Sequence, residues 1–154
     1  MKRGMFGMSI VMVILILSGC GAVDKIIGSS PPQPSIQANG KTIAVYQSSY
    51  CWGNTCADYA DPEMLLKDKE ADQVTAQAAI TFKFKGKQPT ETSLSTFRDG
   101  IPSEVKITDQ AFEAPKEEGT YYYGLSATWL KDKEQRISEG SSSYVFALKV
   151  KGTK

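Results

Sequence analysis

The chain has 154 residues, enough for one domain of ordinary size and short accessory segments. Its 41% hydrophobic and 23% charged residues are globular proportions, and a net charge of +1 offers no electrostatic footprint for nucleic acid. It has no histidine, which excludes Ser-His and Cys-His nucleophile pairs and most zinc sites. An enzyme built on this chain would have to move protons with carboxylates or lysines alone.

At the start, Lys2 and Arg3 precede an uninterrupted apolar run, Ile10 to Leu17. The run is shorter than the roughly 18–20 residues of a membrane span and suits a signal peptide. It ends in Leu17-Ser18-Gly19-Cys20, which resembles the lipobox of bacterial lipoproteins. The resemblance implies removal of residues 1–19 and acylation of Cys20, whose thiol is the nucleophile that takes a diacylglyceryl group. Two or more acyl chains hold stably in a membrane where one binds marginally. The chain is therefore expected to be lipid-anchored on the extracytoplasmic side of the cell membrane. An ordinary cleaved signal with a chance cysteine, or a hydrophobic anchor, are the plainer readings.

Residues 20–35 read as a tether. Ser29-Ser30-Pro31-Pro32-Gln33-Pro34-Ser35 favours polyproline II, and fifteen such residues reach ~45 Å. Val23, Ile26 and Ile27 leave open a short helix on the membrane surface instead. The folded domain is expected over 36–151. Asn39-Gly40 is a turn pair that joins a strand at 35–38 to one at 41–47, with Ile43, Val45 and Tyr46 as buried surface.

Tyr50-Cys51-Trp52-Gly53-Asn54-Thr55-Cys56-Ala57-Asp58-Tyr59 is the most distinctive stretch of the expected domain. With Cys20 taken by lipid, Cys51 and Cys56 remain, in a compartment where thiols oxidise, with the Gly53-Asn54 turn pair between them. A structural disulfide is the primary reading. A redox pair is the sharper alternative, although catalytic pairs use Cys-x-x-Cys spacing at a helix start.

Asp61-Pro62-Glu63-Met64-Leu65-Leu66 is a short helical turn near 62–66, with a capping Asp and Pro in the first turn. Asp58, Asp61 and Glu63 lack the ligand spacing and turn glycine of a calcium loop, so capping explains them better. Val74, Ala76, Ala78, Ile80, Phe82 and Phe84 share one face of a single long strand. Shorter strands follow at 93–98 and 104–108. Tyr121, Tyr123, Leu125, Ala127 and Trp129 then alternate with mostly small or polar residues, the pattern of a strand with one face on a core. Residues 131–143 read as a polar hairpin loop around Glu139-Gly140, before a last strand with Tyr144, Phe146, Leu148 and Val150 inward.

Recurring strands with almost no helix favour an all-β fold, an antiparallel β-sandwich of about seven strands. The Glu117-Glu118-Gly119-Thr120-Tyr121 entry resembles the start of strand F in immunoglobulin-like domains. There a tyrosine bonds back to the backbone as a tyrosine corner. The closing Gly-Thr-Tyr, Ala-x-Trp and Tyr-x-Phe-x-Leu-x-Val layout is similar to extracytoplasmic immunoglobulin-like modules of bacterial lipoproteins. Tyr123 stands where antibody domains carry a core cysteine, so their inter-sheet disulfide has no counterpart.

Function is less legible, because fold does not imply it. The primary expectation is a non-catalytic binding or accessory module, contacting membrane lipid through acylated Cys20 and an envelope protein or polymer through its loops. No nucleic acid, metal or cofactor is implied. The candidate binding surface is Tyr50, Trp52, Asn54 and Tyr59, aromatic and polar groups pinned by a crosslink, which makes a low-entropy contact. The opposing reading places Trp52 in the core as a cap on the sandwich end. A proteinase-inhibitor-like module presenting the 131–143 or disulfide loop, and a disulfide-dependent redox accessory, are the alternatives.

Overall fold

The computed structural model describes residues 28–152. The expected signal peptide, Cys20 and the first part of the expected tether lie outside the described residues. The chain forms β1 (Pro34–Ala38), β2 (Lys41–Ile43), β3 (Tyr46–Trp52), β4 (Thr55–Ala57), α1 (Pro62–Leu66), β5 (Asp72–Thr75) and β6 (Ala79–Phe84). It continues through β7 (Glu91–Arg98), β8 (Ile101–Val105), β9 (Ala111–Glu113), β10 (Gly119–Asp132) and β11 (Ile137–Lys151). A small sheet, ordered β2-β1-β6-β9, packs on a larger one ordered β4-β3-β11-β10-β7-β8, with β5 parallel beside β11. This is the all-β sandwich with one short helix that the alternation predicts.

The described residues form eleven strands rather than about seven. Seven of them, β5 to β11, follow the immunoglobulin-like order, with β6 against β9 in one sheet and β7, β10 and β11 adjacent in the other. β1 to β4 are an N-terminal addition that lengthens both sheets. The tyrosine corner is present: the Tyr121 hydroxyl donates to the Glu117 carbonyl at 3.0 Å. Tyr121 itself is half-buried rather than fully inside.

β10 lies between β11 and β7, and its Tyr123, Leu125, Ala127 and Trp129 face the small sheet and are buried. The Tyr123 ring stacks on Phe146 at 4.9 Å, and Trp129 meets Phe84 edge-on at 5.6 Å. The indole N–H of Trp129 donates to the Lys87 carbonyl, satisfying the polar atom of a fully buried ring. β11 is buried on both faces from Tyr144 to Leu148. Tyr144, Phe146 and Leu148 point into the sandwich, while Val145 and Ala147 form a second cluster with Leu66 of α1. The helix exists to cover that outer face. Asp61 caps it by accepting from the Met64 amide at 3.0 Å, as expected, and Pro62 opens the first turn.

Four boundaries differ from the sequence reading, each for a physical reason. The expected strand at 41–47 breaks after Ile43, which belongs to the small sheet, whereas Tyr46 pairs with Val145 in the large one. Tyr46 therefore turns outward and is 37% exposed instead of buried. The expected strand from Val74 to Phe84 is two strands in different sheets, joined through Gln77 at a positive φ of 56°. Both sheets point their inner residues into one core, so period-two alternation survives the crossing and conceals it. Asp99 and Gly100, both at positive φ, close a two-residue turn, so β8 begins at Ile101 and not at 104. Pro102 is tolerated because β8 is an edge strand. Finally, the expected loop at 131–143 is mostly ladder, with only 133–136 as the turn.

The Pro-rich stretch is also not free over its described part. Pro31 and Pro34 are buried, the Tyr144 hydroxyl donates to the Pro32 carbonyl at 2.5 Å, and the Trp52 indole N–H donates to the Gly28 carbonyl at 3.1 Å. Residues 28–35 thus belong to the domain and not to a tether.

Trp129 is the largest fully buried side chain. Replacing it with Ala should cost about 3–5 kcal/mol through the cavity left between Phe84 and Trp52. Chemical denaturation reads this directly, and an unchanged midpoint would contradict the assigned role of β10.

Candidate functional site

The disulfide hairpin is built from β3 and β4, which pair Tyr50 with Ala57, Cys51 with Cys56 and Trp52 with Thr55. Gly53 takes a φ of 57°, the first central position of a tight hairpin turn, which an L side chain adopts only under strain. That turn brings the Cys51 and Cys56 Cα atoms to 4.1 Å, and the two sulfurs are bonded. Both cysteines are exposed, on the outward side of the sheet edge.

The four candidate contact residues separate. Asn54, at the turn, is exposed. Tyr59 is 52% exposed, and its backbone amide donates to Asp58 and to the Ser49 hydroxyl. Tyr50 is half-buried and packs on the core. Trp52 is only 5% exposed, so it is not a contact residue. Its ring meets Trp129 edge-on at 5.0 Å and closes the end of the sandwich.

Gly140 is what admits Trp52. It lies in β11 directly opposite Trp52 on one side and Trp129 on the other. A Cβ at that position would run into the Trp52 ring. Glu139-Gly140 is therefore a point of close approach inside a strand rather than a turn signal.

Two exposed apolar side chains missed by the sequence reading, Tyr46 (37%) and Met64 (59%), accompany Tyr59. Tyr46 points to the side of the large sheet that α1 covers, with the Lys69 ammonium 5.1 Å from its ring centre. Met64 is on α1 itself, and Tyr59 lies just before its cap. The signal that could have found this surface is α1: a single apolar turn with Leu66 inward must leave Met64 outward.

The acidic residues of this region have separate partners. Asp58 accepts from the Ser49 hydroxyl, Asp61 caps α1, and Glu63 accepts the Asp99 and Gly100 amides at 2.9 Å each, fixing the β7–β8 turn. Displaced titrations belong to the framework: burial pushes the Tyr123 hydroxyl well above the usual tyrosine range and raises that of Tyr144. At the surface, a hydrogen bond from Arg136 holds Glu91 below the usual carboxylate range. No protein-family model, curated protein or solved structure matches the chain.

Two measurements test this arrangement. Reducing the Cys51–Cys56 bridge should lower stability by about 2 kcal/mol on the loop-entropy account while the sandwich stays folded. Thiol alkylation with mass spectrometry checks the bond, and two free thiols in protein purified without reductant would refute it. Gly140→Ala should expel Trp52 from its seat, costing about 1–3 kcal/mol and red-shifting tryptophan emission. Unchanged emission would mean that Trp52 is not held there.

Proposed function

We propose that the chain is a lipid-anchored extracytoplasmic protein whose immunoglobulin-like domain works as a binding or accessory module and not as a catalyst. The observation that carries the anchor is Leu17-Ser18-Gly19-Cys20 directly after an apolar run and a basic start. The observation that supports binding is the trio Tyr46, Tyr59 and Met64, exposed on or beside the face covered by α1. Tyr59 follows a crosslinked hairpin and has its backbone amide tied to Ser49, so holding its ring against a partner costs little ordering entropy. Tyrosine and methionine supply adaptable apolar area with few directional demands. That chemistry suits an envelope protein or polymer presenting apolar and hydroxyl groups.

Cys20→Ala should move the protein from the membrane fraction to the soluble extracytoplasmic fraction. Retention of that variant after salt and carbonate washing would place the anchor elsewhere. Any partner crosslinked to the wild-type domain in intact cells should be lost with Tyr59→Ala and kept with Lys116→Ala, on a distant turn. Turnover of an envelope substrate by the pure domain would sink the module reading.

A further inference from the structure

We propose that the end of the sandwich formed by the Gly53-Asn54 turn, residues 85–90 and the β10–β11 turn faces the lipid surface, held there by a leash of eight residues. This rests on the acylated Cys20 of the preceding section. The leash is short because the domain begins early. Gly28 is already fixed by the Trp52 indole, and Pro31 and Pro32 are docked before β1 starts. From Cys20 to Gly28 is 28 − 20 = 8 residues. Fully drawn out they span at most about 29 Å.

The level at which the leash joins the sandwich decides which end is near. Trp52 is opposite Gly140, and Gly140 is opposite Trp129, near the Asp132 end of β10. The Trp129 indole and Lys87 carbonyl are bonded, as are Arg136 and Glu91, so the 85–90 and 133–136 connections share that end. The opposite end carries the Asp99-Gly100 turn and the tyrosine corner, since Phe97 pairs with Tyr122 and Gly119 with Val150. The full run of β10 places the two ends roughly 43 Å apart at ~3.3 Å per residue. Trp129, level with Trp52, is 129 − 119 = 10 residues from Gly119, roughly 33 Å along β10, which is beyond the leash's full reach, so turning the far end down would drive the domain into the bilayer.

Charge plays a smaller part. Lys87 pairs with Glu139 and Arg136 with Glu91, the exposed Lys131 and Lys133 alternate along the chain with Asp132 and Glu134, and Lys85 is exposed just after β6. The near end is close to balanced, so the leash and not a basic patch sets the direction. Ile137, 47% exposed, adds an apolar group at this end. The consequence is functional. In immunoglobulin variable domains the loops equivalent to 85–90 and 133–136 form part of the binding end. Here they face lipid, and a macromolecular partner is left with the side covered by α1 or the far end.

The test uses the full chain purified from membranes and reconstituted into phosphatidylcholine–phosphatidylglycerol vesicles carrying an acceptor dye on the headgroups. A donor is attached at Lys133→Cys on the near end or Lys116→Cys on the far end, with the Cys51–Cys56 bridge confirmed intact. Energy transfer should be several-fold stronger from position 133. Inserting about twenty Gly/Ser residues between 27 and 28 should bring the two positions close to equality, because the leash then exceeds what the domain needs to turn. Equal or reversed transfer on vesicle-bound wild-type chain overturns the orientation. A difference that survives the insertion overturns the leash as its cause. Failure of the wild-type chain to stay on vesicles, with Cys20→Ala behaving alike, removes the anchor and the proposal together.

Discussion

The run Tyr144-Val145-Phe146-Ala147-Leu148 in β11 is the constraint on which the rest of the molecule depends. It is buried on both faces, paired throughout with β10 and, on its other edge, with β3 as far as Val145 and with β5 from Leu148; an antiparallel strand at a sandwich surface ordinarily has one face in water. Inward, its aromatic rings stack with Tyr123 and pack against Phe84 and Phe112. Outward, Val145 and Ala147 require a lid, and α1 exists with Leu66 against them. Along its outer edge, β3 covers residues 140–145 and β5 covers 148–151. Remove the N-terminal addition and half of that edge would present unpaired amides and carbonyls, a template for association with another chain.

This explains why four strands precede the immunoglobulin-like seven. β1 and β2 extend the small sheet, while β3 and β4 close the large one, and the Cys51–Cys56 bridge holds β4 where it has no further neighbour. A three-residue edge strand has little ladder of its own to keep it in place. The crosslink removes the unfolded hairpin's freedom instead, and Trp52, next to Cys51 at the same end of β3, seats that end in the core.

The legible parts of the fold were those where one residue's chemistry has one outlet. Tyr121 after its corner, Asp61 before Pro62, Asn39-Gly40, and the inward set Tyr123 to Trp129 all behave as their local patterns predict. What was hidden is which sheet a strand belongs to. Val74 and Ile80 point into the same core from opposite layers, and nothing in their alternation marks the crossing at Gln77. Gly140 was misread for a related reason: glycine marks both a turn and a close approach, and only the partner ring distinguishes them. At the site, the cysteine pair and Asn54 were readable, whereas Trp52 was decided by packing with Trp129, 77 residues away in the chain (129 − 52).

That same indole links the fold to the way the domain is presented. Trp52 uses its ring to close the core and its N–H to hold Gly28, so one side chain settles both where the sandwich ends and where the chain leaves it. The exposed apolar groups then divide by height along β10 and β11. Ile137 lies at the closed end, opposite Asp132, while Tyr46 sits at mid-height opposite Val145, on the side of α1. On the proposed anchor at Cys20, the first of these would be a neighbour of lipid and the second would stay open to the compartment. The proposed binding surface and the proposed anchor then fall on different sides of the domain, with the position of Gly28 deciding which is which.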